Sequence, residues 1–261
     1  MHPALWINQT GLSVQDRQLM ATSNNLANVS TYAFKKDRAM VVDQFYREFR
    51  QAGAQVDQQN NLPSGLQMGT GARVDGMQKV FTNGNIQTTT QALDLALVGQ
   101  GFFQVQMPDG TMGYTRNGQL QLNSEGVVVM SDGLPIEPAI TIPAEGTTVT
   151  IAEDGTVSVT MQGESQPQNV GQLTLVNFVN PGGLKPKGGH IYLETEASGD
   201  PVEGVAGENG MGIIRQFALE TSNVEAVEEL VNLIMIQRSY EMNARAIETS
   251  DHMMEYLIRN V

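Results

Sequence analysis

The chain has 261 residues, with 28 acidic against 15 basic side chains, a formal charge of −13 and no cysteine. That length supplies enough chain for one large or two modest cores. The acidity opposes a nucleic-acid backbone as partner, and the missing thiols exclude a disulfide framework or a thiolate metal site.

The first predicted element is a helix running to about Asn28. Pro3 suits a first helical turn, and Leu5, Leu12, Leu19 and Leu26 recur at intervals of seven. The intervening seam positions Asn8, Gln15 and Thr22 are polar, so this helix needs a partner to be stable. No basic segment followed by an apolar core and a cleavage site precedes it, so no Sec-type signal is expected. No uncharged apolar run approaches the roughly 18 residues of a membrane span.

Ser30, Thr31 and Tyr32 read as an exit turn, followed by a basic patch at Lys35, Lys36 and Arg38. Gln51 to Gly71 is polar and long for a loop, with Gln55, Gln58, Gln59, Asn60, Asn61, Pro63 and four glycines. It is expected to form an extended, hairpin-like arm that finds order against neighbours.

From about Arg73 to Val205 the pattern is all-β. Asp-Gly pairs at Asp75, Asp109, Asp132 and Asp154 predict tight turns. Between them lie short apolar or alternating runs, Phe102 to Met107, Val127 to Met130, Thr147 to Ile151 and Leu173 to Val179, which suggest a sandwich or barrel-like domain. Residues from Ala197 to Gly212 are glycine-rich and lead back to a final helix.

That helix opens at Ser222, Asn223, Val224 and Glu225, a Ser-x-x-Glu pattern of the capping-box kind. Ala226, Leu230, Leu233, Gln237, Tyr240, Ala244, Ile247, Asp251, Met254 and Ile258 follow in steps of four and three. This is a heptad seam, and at 1.5 Å per residue the helix would run about 55 Å. Val224, Val227, Val231, Ile234, Met235, Met242, Met253 and Leu257 widen the apolar surface beyond one stripe, which predicts burial on more than one side. An ordinary core helix remains open as the alternative.

Candidate chemistry is sparse. His2, His190 and His252 are far apart in the chain, and none has a second histidine at ligand spacing. His190 lies in a Gly-rich turn and is expected at the surface. Gly99-Gln100-Gly101 lacks the third glycine and the following helix of a dinucleotide fingerprint, and a turn or bulge before Phe102 accounts for it. Tyr114, Thr115 and Arg116 are expected to pack across strands. No catalytic, metal or cofactor-binding residue is assigned, so the chain is read as a non-enzyme with no cofactor.

Three segments nevertheless carry a pattern. SNNLANVSTYAFKK begins at Ser23 and includes Asn24, Asn25, Leu26, Ala27 and Asn28. VGQGFFQVQMPDG begins at Val98, includes Gly99, Gly101, Phe102 and Phe103, and leads to YTRNG at Tyr114, Thr115 and Arg116. ETSNVEAVEELVNLIMIQRSYEMNARAIETSD begins at Glu220 and includes Ser222, Asn223 and Val224. In this order they resemble the signatures of the bacterial flagellar rod and hook proteins, an axial family, across essentially the whole chain. FYREFRQAGAQVDQQNNLPSGLQMGTG from Phe45 and EPAITIP from Glu137 are most like its distal rod branch. Tyr32-Ala33 departs from the family's usual Thr-Gly, which bears on how the chain leaves the first helix, and Leu120 replaces a common Phe.

The resemblance implies an α+β chain whose long N- and C-terminal helices form a coiled-coil inner domain, with an inserted all-β outer domain and an extended arm. The expected division is 1–30 with 222–261 for the helices, 31–72 with 206–221 for the connecting region (arm at about 45–65), and 73–205 for the β domain. Leu5, Leu12, Leu19, Leu26, Leu230, Leu233, Tyr240, Ile247, Met254 and Ile258 would carry subunit assembly. The implied function is a homo-oligomeric, rigid hollow helical tube that transmits torque to the hook and forms part of the export channel. It would span from periplasm to outer membrane after export without a cleaved signal. Partners would be proximal rod proteins, the hook protein or hook–rod junction, the P and L ring bushing and the export apparatus in transit, with no nucleic acid. The alternatives are a proximal rod or hook-type member of the family and, from another class, a secreted β-domain enzyme.

Overall fold

The structure, a computed structural model, describes residues 3–53, 63–143, 146–161 and 166–259. Of the expected arm, Gln55, Gln58, Gln59, Asn60 and Asn61 lie outside the described residues. The chain is α+β, with a helix toward each end and strands between. It divides into two compact units, 1–27 with 37–78 and 225–261, and 28–36 with 79–224.

The first unit holds α1 (Pro3–Ala27) and α2 (Ala226–Arg259), which pack on each other. On α1 the buried residues are Val14, Ala21, Thr22 and Asn25, while Leu5, Leu12, Leu19 and Leu26 are half-buried. On α2 burial follows Glu229, Leu233, Ile236, Ser239, Asn243, Ile247, Ser250 and Met254, again in steps of three and four. This stripe keeps Leu233, Ile247 and Met254 of the expected seam but substitutes Glu229 for Leu230, Ile236 for Gln237 and Ser250 for Asp251. Leu230 and Tyr240 are about half exposed, at 47% and 48%, and Ile258 is 79% exposed. Packing thus chose a stripe with more polar residues than the hydrophobic pattern selected.

Helix α2 begins four residues after the expected cap. Ser222 Oγ accepts a hydrogen bond from the Val224 amide at 3.2 Å, a local turn that diverts it from capping a helix. In the same unit strand Asp37–Asp43 pairs with Ala72–Lys79. Asp75-Gly76 therefore lies inside a strand, and the turn expected there does not form. Strand Tyr46–Arg50 pairs antiparallel with Leu66–Gly69, and every residue of the former is exposed.

The second unit is built of small antiparallel sheets. Its largest orders Lys185–Gly188, Ile191–Leu193, Met112–Thr115, Phe102–Gln106, Thr174–Asn177 and Val202–Val205, with Ile136–Glu137 also pairing on Phe102–Gln106. Tight turns carry Gly110, Gly133 and Gly155 at φ of 79° to 85°, as the Asp-Gly pairs at 109, 132 and 154 predict.

Strand Phe102–Gln106 is covered on both faces. Phe103 and Val105 join Leu95, Leu97, Ile136 and Leu175 in one core, whereas Phe102 joins Tyr114, Val176, Phe178 and Tyr192 in another. Two-sided burial accounts for the adjacent Phe102 and Phe103, while Gln104 and Gln106 alternate with Phe103 and Val105 along the rest of the strand. The aromatic core adds edge-to-face pairs, among them Tyr114 with Phe178 at 4.7 Å between ring centroids and Phe81 with Phe102 at 5.4 Å. Each such pair contributes about 0.5–1.5 kcal/mol beyond area burial. No helix among the described residues is long and apolar enough to cross a membrane.

Candidate functional site: a buried charge cluster joining three motifs

Within the second unit, one residue from each of the three sequence motifs meets in the interior. Lys35, Arg116 and Glu220 are respectively 0%, 3% and 2% exposed. Lys35 Nζ lies 2.7 Å from Glu220 Oε1, and Arg116 Nε lies 2.9 Å from Glu220 Oε2. The Gly84 amide donates to Glu220 Oε1 at 2.9 Å, so one carboxylate satisfies three donors.

The cations are completed by backbone carbonyls. Lys35 Nζ donates to Thr82 O at 2.7 Å. The Arg116 guanidinium donates to Gly101 O at 3.0 Å and to Gly99 O at 2.9 Å, with Asn83 Oδ1 at 3.1 Å beside them. Gly99 and Gly101 have φ of 115° and 132°, a backbone region that disfavours residues with a Cβ. At Gly99 a Cβ would also come 2.8 Å from Gly212 Cα. The two glycines are therefore part of the arginine's socket, and they form a turn with no phosphate-binding geometry.

Two cations share one anion in a dry interior, so the electrostatics are unequal. Burial, and then the nearby Arg116 charge, lower the Lys35 ammonium from 10.5 to about 8, against the pull of Glu220. For Glu220, burial alone would raise the carboxyl. Arg116, Lys35 and the hydrogen bonds from Lys35 and Gly84 outweigh it and hold the group below the ordinary carboxylate value. Burial also pushes the Tyr114 phenol far up, helped by Glu194, whose Oε2 accepts its hydrogen bond at 3.2 Å.

Beside the cluster, Asn223 ties backbone together. Its Nδ2 donates to Val80 O at 2.8 Å and Thr82 Oγ1 at 2.9 Å, and its Oδ1 accepts from the Lys36 amide at 2.8 Å. In the first unit Asn25 does the same for Asp37, accepting from its amide at 2.8 Å and donating to its carbonyl at 2.9 Å. Asn24 Nδ2 donates to the Asp37 carboxylate at 2.9 Å. The asparagines of the terminal motifs thus act as backbone brackets.

The remaining motif residues are placed less pointedly. Ser23 and Ala27 are exposed and Asn28 is half-buried, while Phe102, Phe103, Thr115, Ser222 and Val224 are buried. The expected basic patch is corrected at Lys35, which is fully buried. Cross-strand packing of Arg116 is likewise replaced by an interior salt link. His190 is half-buried at a φ of 64°, not a surface group, and burial lowers its pKa. Sequence reasoning passed over Lys35 and Glu220 because their partners are distant in the chain. The available signal was that each lies within a motif, next to a residue whose chemistry had no other use.

The arrangement has no nucleophile beside a base, and its carboxylate is consumed by two cations. What it does chemically is hold chain segments together. Comparison with known proteins agrees in its placement of the motifs. Residues 96–159, which contain Arg116, match the flagellar hook protein FlgE/F/G D1 domain. Residues 215–260, which contain Glu220, match the flagellar basal body rod FlgEFG protein C-terminal region. The flagellar basal-body rod protein FlgG of Buchnera aphidicola subsp. Acyrthosiphon pisum is 49% identical over 98% of this chain and 99% of its own length. That of Caulobacter vibrioides is 40% identical over 97% of both chains, and that of Bacillus subtilis 32% identical over 98% and 97%.

Proposed function

The chain belongs to the flagellar basal-body rod FlgG family, a structural component of the bacterial flagellum, and from that premise we propose that it builds the distal rod as a rigid hollow helical tube. The tube carries motor torque to the hook and forms part of the export channel. The relatives are structural rod proteins, and we assign this chain no catalysis.

One observation carries the self-assembly. Helix α2 exposes Leu230, Ile234, Met235, Met242 and Ile258 by 47% to 79% each. An apolar surface of that extent is costly in water and marks an association face. Further copies of the chain supply the cover, with α1 and α2 as a coiled-coil inner layer and Leu5, Leu12, Leu19, Leu26, Leu233, Tyr240, Ile247 and Met254 contributing. The β-rich unit forms the outer layer, and the arm at about 45–65 stiffens the tube by linking neighbours. Proximal rod proteins, the hook or hook–rod junction and the P and L ring bushing are the contacts along its length.

The test is electron microscopy of hook–basal bodies carrying a label in the β-rich unit. Label on the straight segment between the periplasmic ring and the hook supports the distal rod. Label at the inner-membrane end or on the curved hook assigns the chain to another position in the same axial structure. Deleting residues 45–65 should give a flexible or curved polymer, and an equally stiff one would remove the arm from the account.

A further inference from the structure

The second unit carries an open cleft of about 950 Å³ bounded by Leu93, Asp94, Leu122, Val149 and Phe217. Its apolar lining is accessible, with Leu122 44% and Phe217 42% exposed. Phe217 sits at a φ of 58°, an uncommon conformation for a bulky residue. Residues held in sparsely populated backbone conformations concentrate at functional sites, ligand clamps among them.

The cleft is also held in shape. The Gln216 side chain donates to Ala92 O at 2.7 Å and to Val149 O at 2.9 Å, and accepts from the Ile151 amide at 3.0 Å. A single side chain thereby fixes both walls, so little conformational freedom is lost when the cleft fills.

The first unit presents a shape of the opposite kind. The paired strands Tyr46–Arg50 and Leu66–Gly69 expose Phe45 by 88%, Tyr46 by 60%, Phe49 by 53% and Leu66 by 60%. Arg47 stacks over the Phe49 ring at 5.2 Å, and Arg50 follows it. Neither strand packs extensively on any element but the other, and an isolated two-stranded hairpin is marginal in water. Aromatic and arginine side chains are the residues that dominate the binding energy of protein interfaces. Among the described residues Asp94 is the one charged residue lining the cleft, and it is acidic where the strand Tyr46–Arg50 carries Arg47 and Arg50 against a single acidic Glu48.

We propose that the cleft bounded by Leu122 and Phe217 receives the aromatic strand Tyr46–Arg50 of a second copy, with Asp94 facing Arg47 and Arg50. The inference rests on the rod reading and names the surface on which the arm acts. Knob and cleft occupy different places on one chain, so the contact is heterologous. Repeated copy to copy with a rotation that does not close, such a contact generates the open helical filament that the rod reading requires. The arm then gains an apolar environment for Phe49 and Tyr46 that its own strands do not provide.

The absence of cysteine allows a direct test. Cells lacking their own rod protein would co-produce two versions of the full chain, Phe49→Cys and Leu122→Cys, and be treated with a short bismaleimide. Tyr46→Cys with Gln121→Cys is a second pair, should the first disturb folding. The expected result is a covalent dimer only when both versions are present, and a ladder of multimers when both cysteines lie on one chain. Adding Asp94→Arg should diminish the ladder by about tenfold, the change that 1.4 kcal/mol of binding produces. Arg47→Asp with Arg50→Asp should restore it. If the wild-type chain does not restore rods, the rod reading fails. If rods form and neither pair gives a ladder, or the cross-link forms within one chain, the cleft assignment is overturned and the rod reading stands.

Discussion

Lys35 Nζ and Glu220 Oε1 stand 2.7 Å apart in the interior of the β-rich unit, joined across 185 residues of chain. The link brings the segment that follows α1 and the segment that precedes α2 to one point, where Arg116 completes it from just beyond the end of strand Met112–Thr115. A buried ion pair of this kind is weak grounds for claiming stability over an apolar alternative, because desolvation offsets the attraction. Its effect is clearer in what happens when one member is removed.

Charge counting orders the three removals. Glu220→Gln leaves two cations in a dry site with no anion and should cost about 3–5 kcal/mol, if the unit folds at all. Arg116→Met keeps a one-to-one pair but leaves the Gly99 and Gly101 carbonyls without donors, each worth about 1–3 kcal/mol. Lys35→Met leaves the Arg116–Glu220 pair intact and should cost least, about 1–2 kcal/mol. Urea unfolding of the three variants tests the order, and a Glu220→Gln variant as stable as Lys35→Met would contradict it.

The Lys35 proton gives a pH signature. Its folded value of about 8 lies below the unfolded 10.5, so between those limits the unfolded chain binds more protons. The contribution of Lys35 to stability therefore rises with pH across that window. Comparing wild type with Lys35→Met removes the opposing effect of Tyr114, whose raised value makes stability fall above pH 10 in both proteins. Relative to the variant, wild type should gain between pH 8 and 10.5, and a constant difference would show that Lys35 titrates normally. On the acid side the sign is the same. Glu220 is lowered by folding, so its stabilisation is lost as pH falls through that lowered value.

Ala33 sits at a φ of 55° and is 3% exposed, with its amide donating to Glu220 O at 2.8 Å. This is where the resemblance leads one to expect glycine, and the left-handed conformation costs a residue with a Cβ about 1–2 kcal/mol. Ala33→Gly relieves that strain but gives up a buried methyl and loosens the unfolded chain, so its net effect should stay within about 1 kcal/mol. Ala33→Val places a β-branched residue at positive φ in a closed site and should destabilise by about 2–4 kcal/mol. Thermal denaturation of the pair decides the matter, and equal melting temperatures would count against the strain.

Asn223→Asp tests the backbone bracket. The carboxylate keeps the acceptor for the Lys36 amide but replaces the donor facing Val80 O and Thr82 Oγ1. Two oxygens then face one another at a distance now bridged by a hydrogen bond, for a loss of about 2–3 kcal/mol near neutral pH. Part of this loss should be recovered where the carboxyl is protonated. Denaturant titrations at neutral and mildly acid pH check both, and an unchanged stability at neutral pH would rule the bracket out.

Sequence by itself determined what depends on neighbours along the chain. The leucines of α1 and the four-three steps of α2 announced helices because side-chain facing repeats with the helical turn. Asp109, Asp132 and Asp154 announced turns because each following glycine adopts a positive φ that other residues avoid. The family was legible for the same reason, in three motifs read as strings.

Tertiary structure decided what depends on distant partners. Asp75-Gly76 became part of a strand because pairing with Asp37–Asp43 outweighs its local turn preference. The buried stripe of α2 took Glu229 over Leu230 because Asn25 on α1 offers the Glu229 carboxylate a hydrogen bond at 3.3 Å. Lys35 looked like a surface cation because lysine is rarely buried, and only the folded chain delivers Glu220 and the Thr82 carbonyl to its ammonium. Local preference is written residue by residue, whereas the partner of a buried charge exists only once the chain has closed around it.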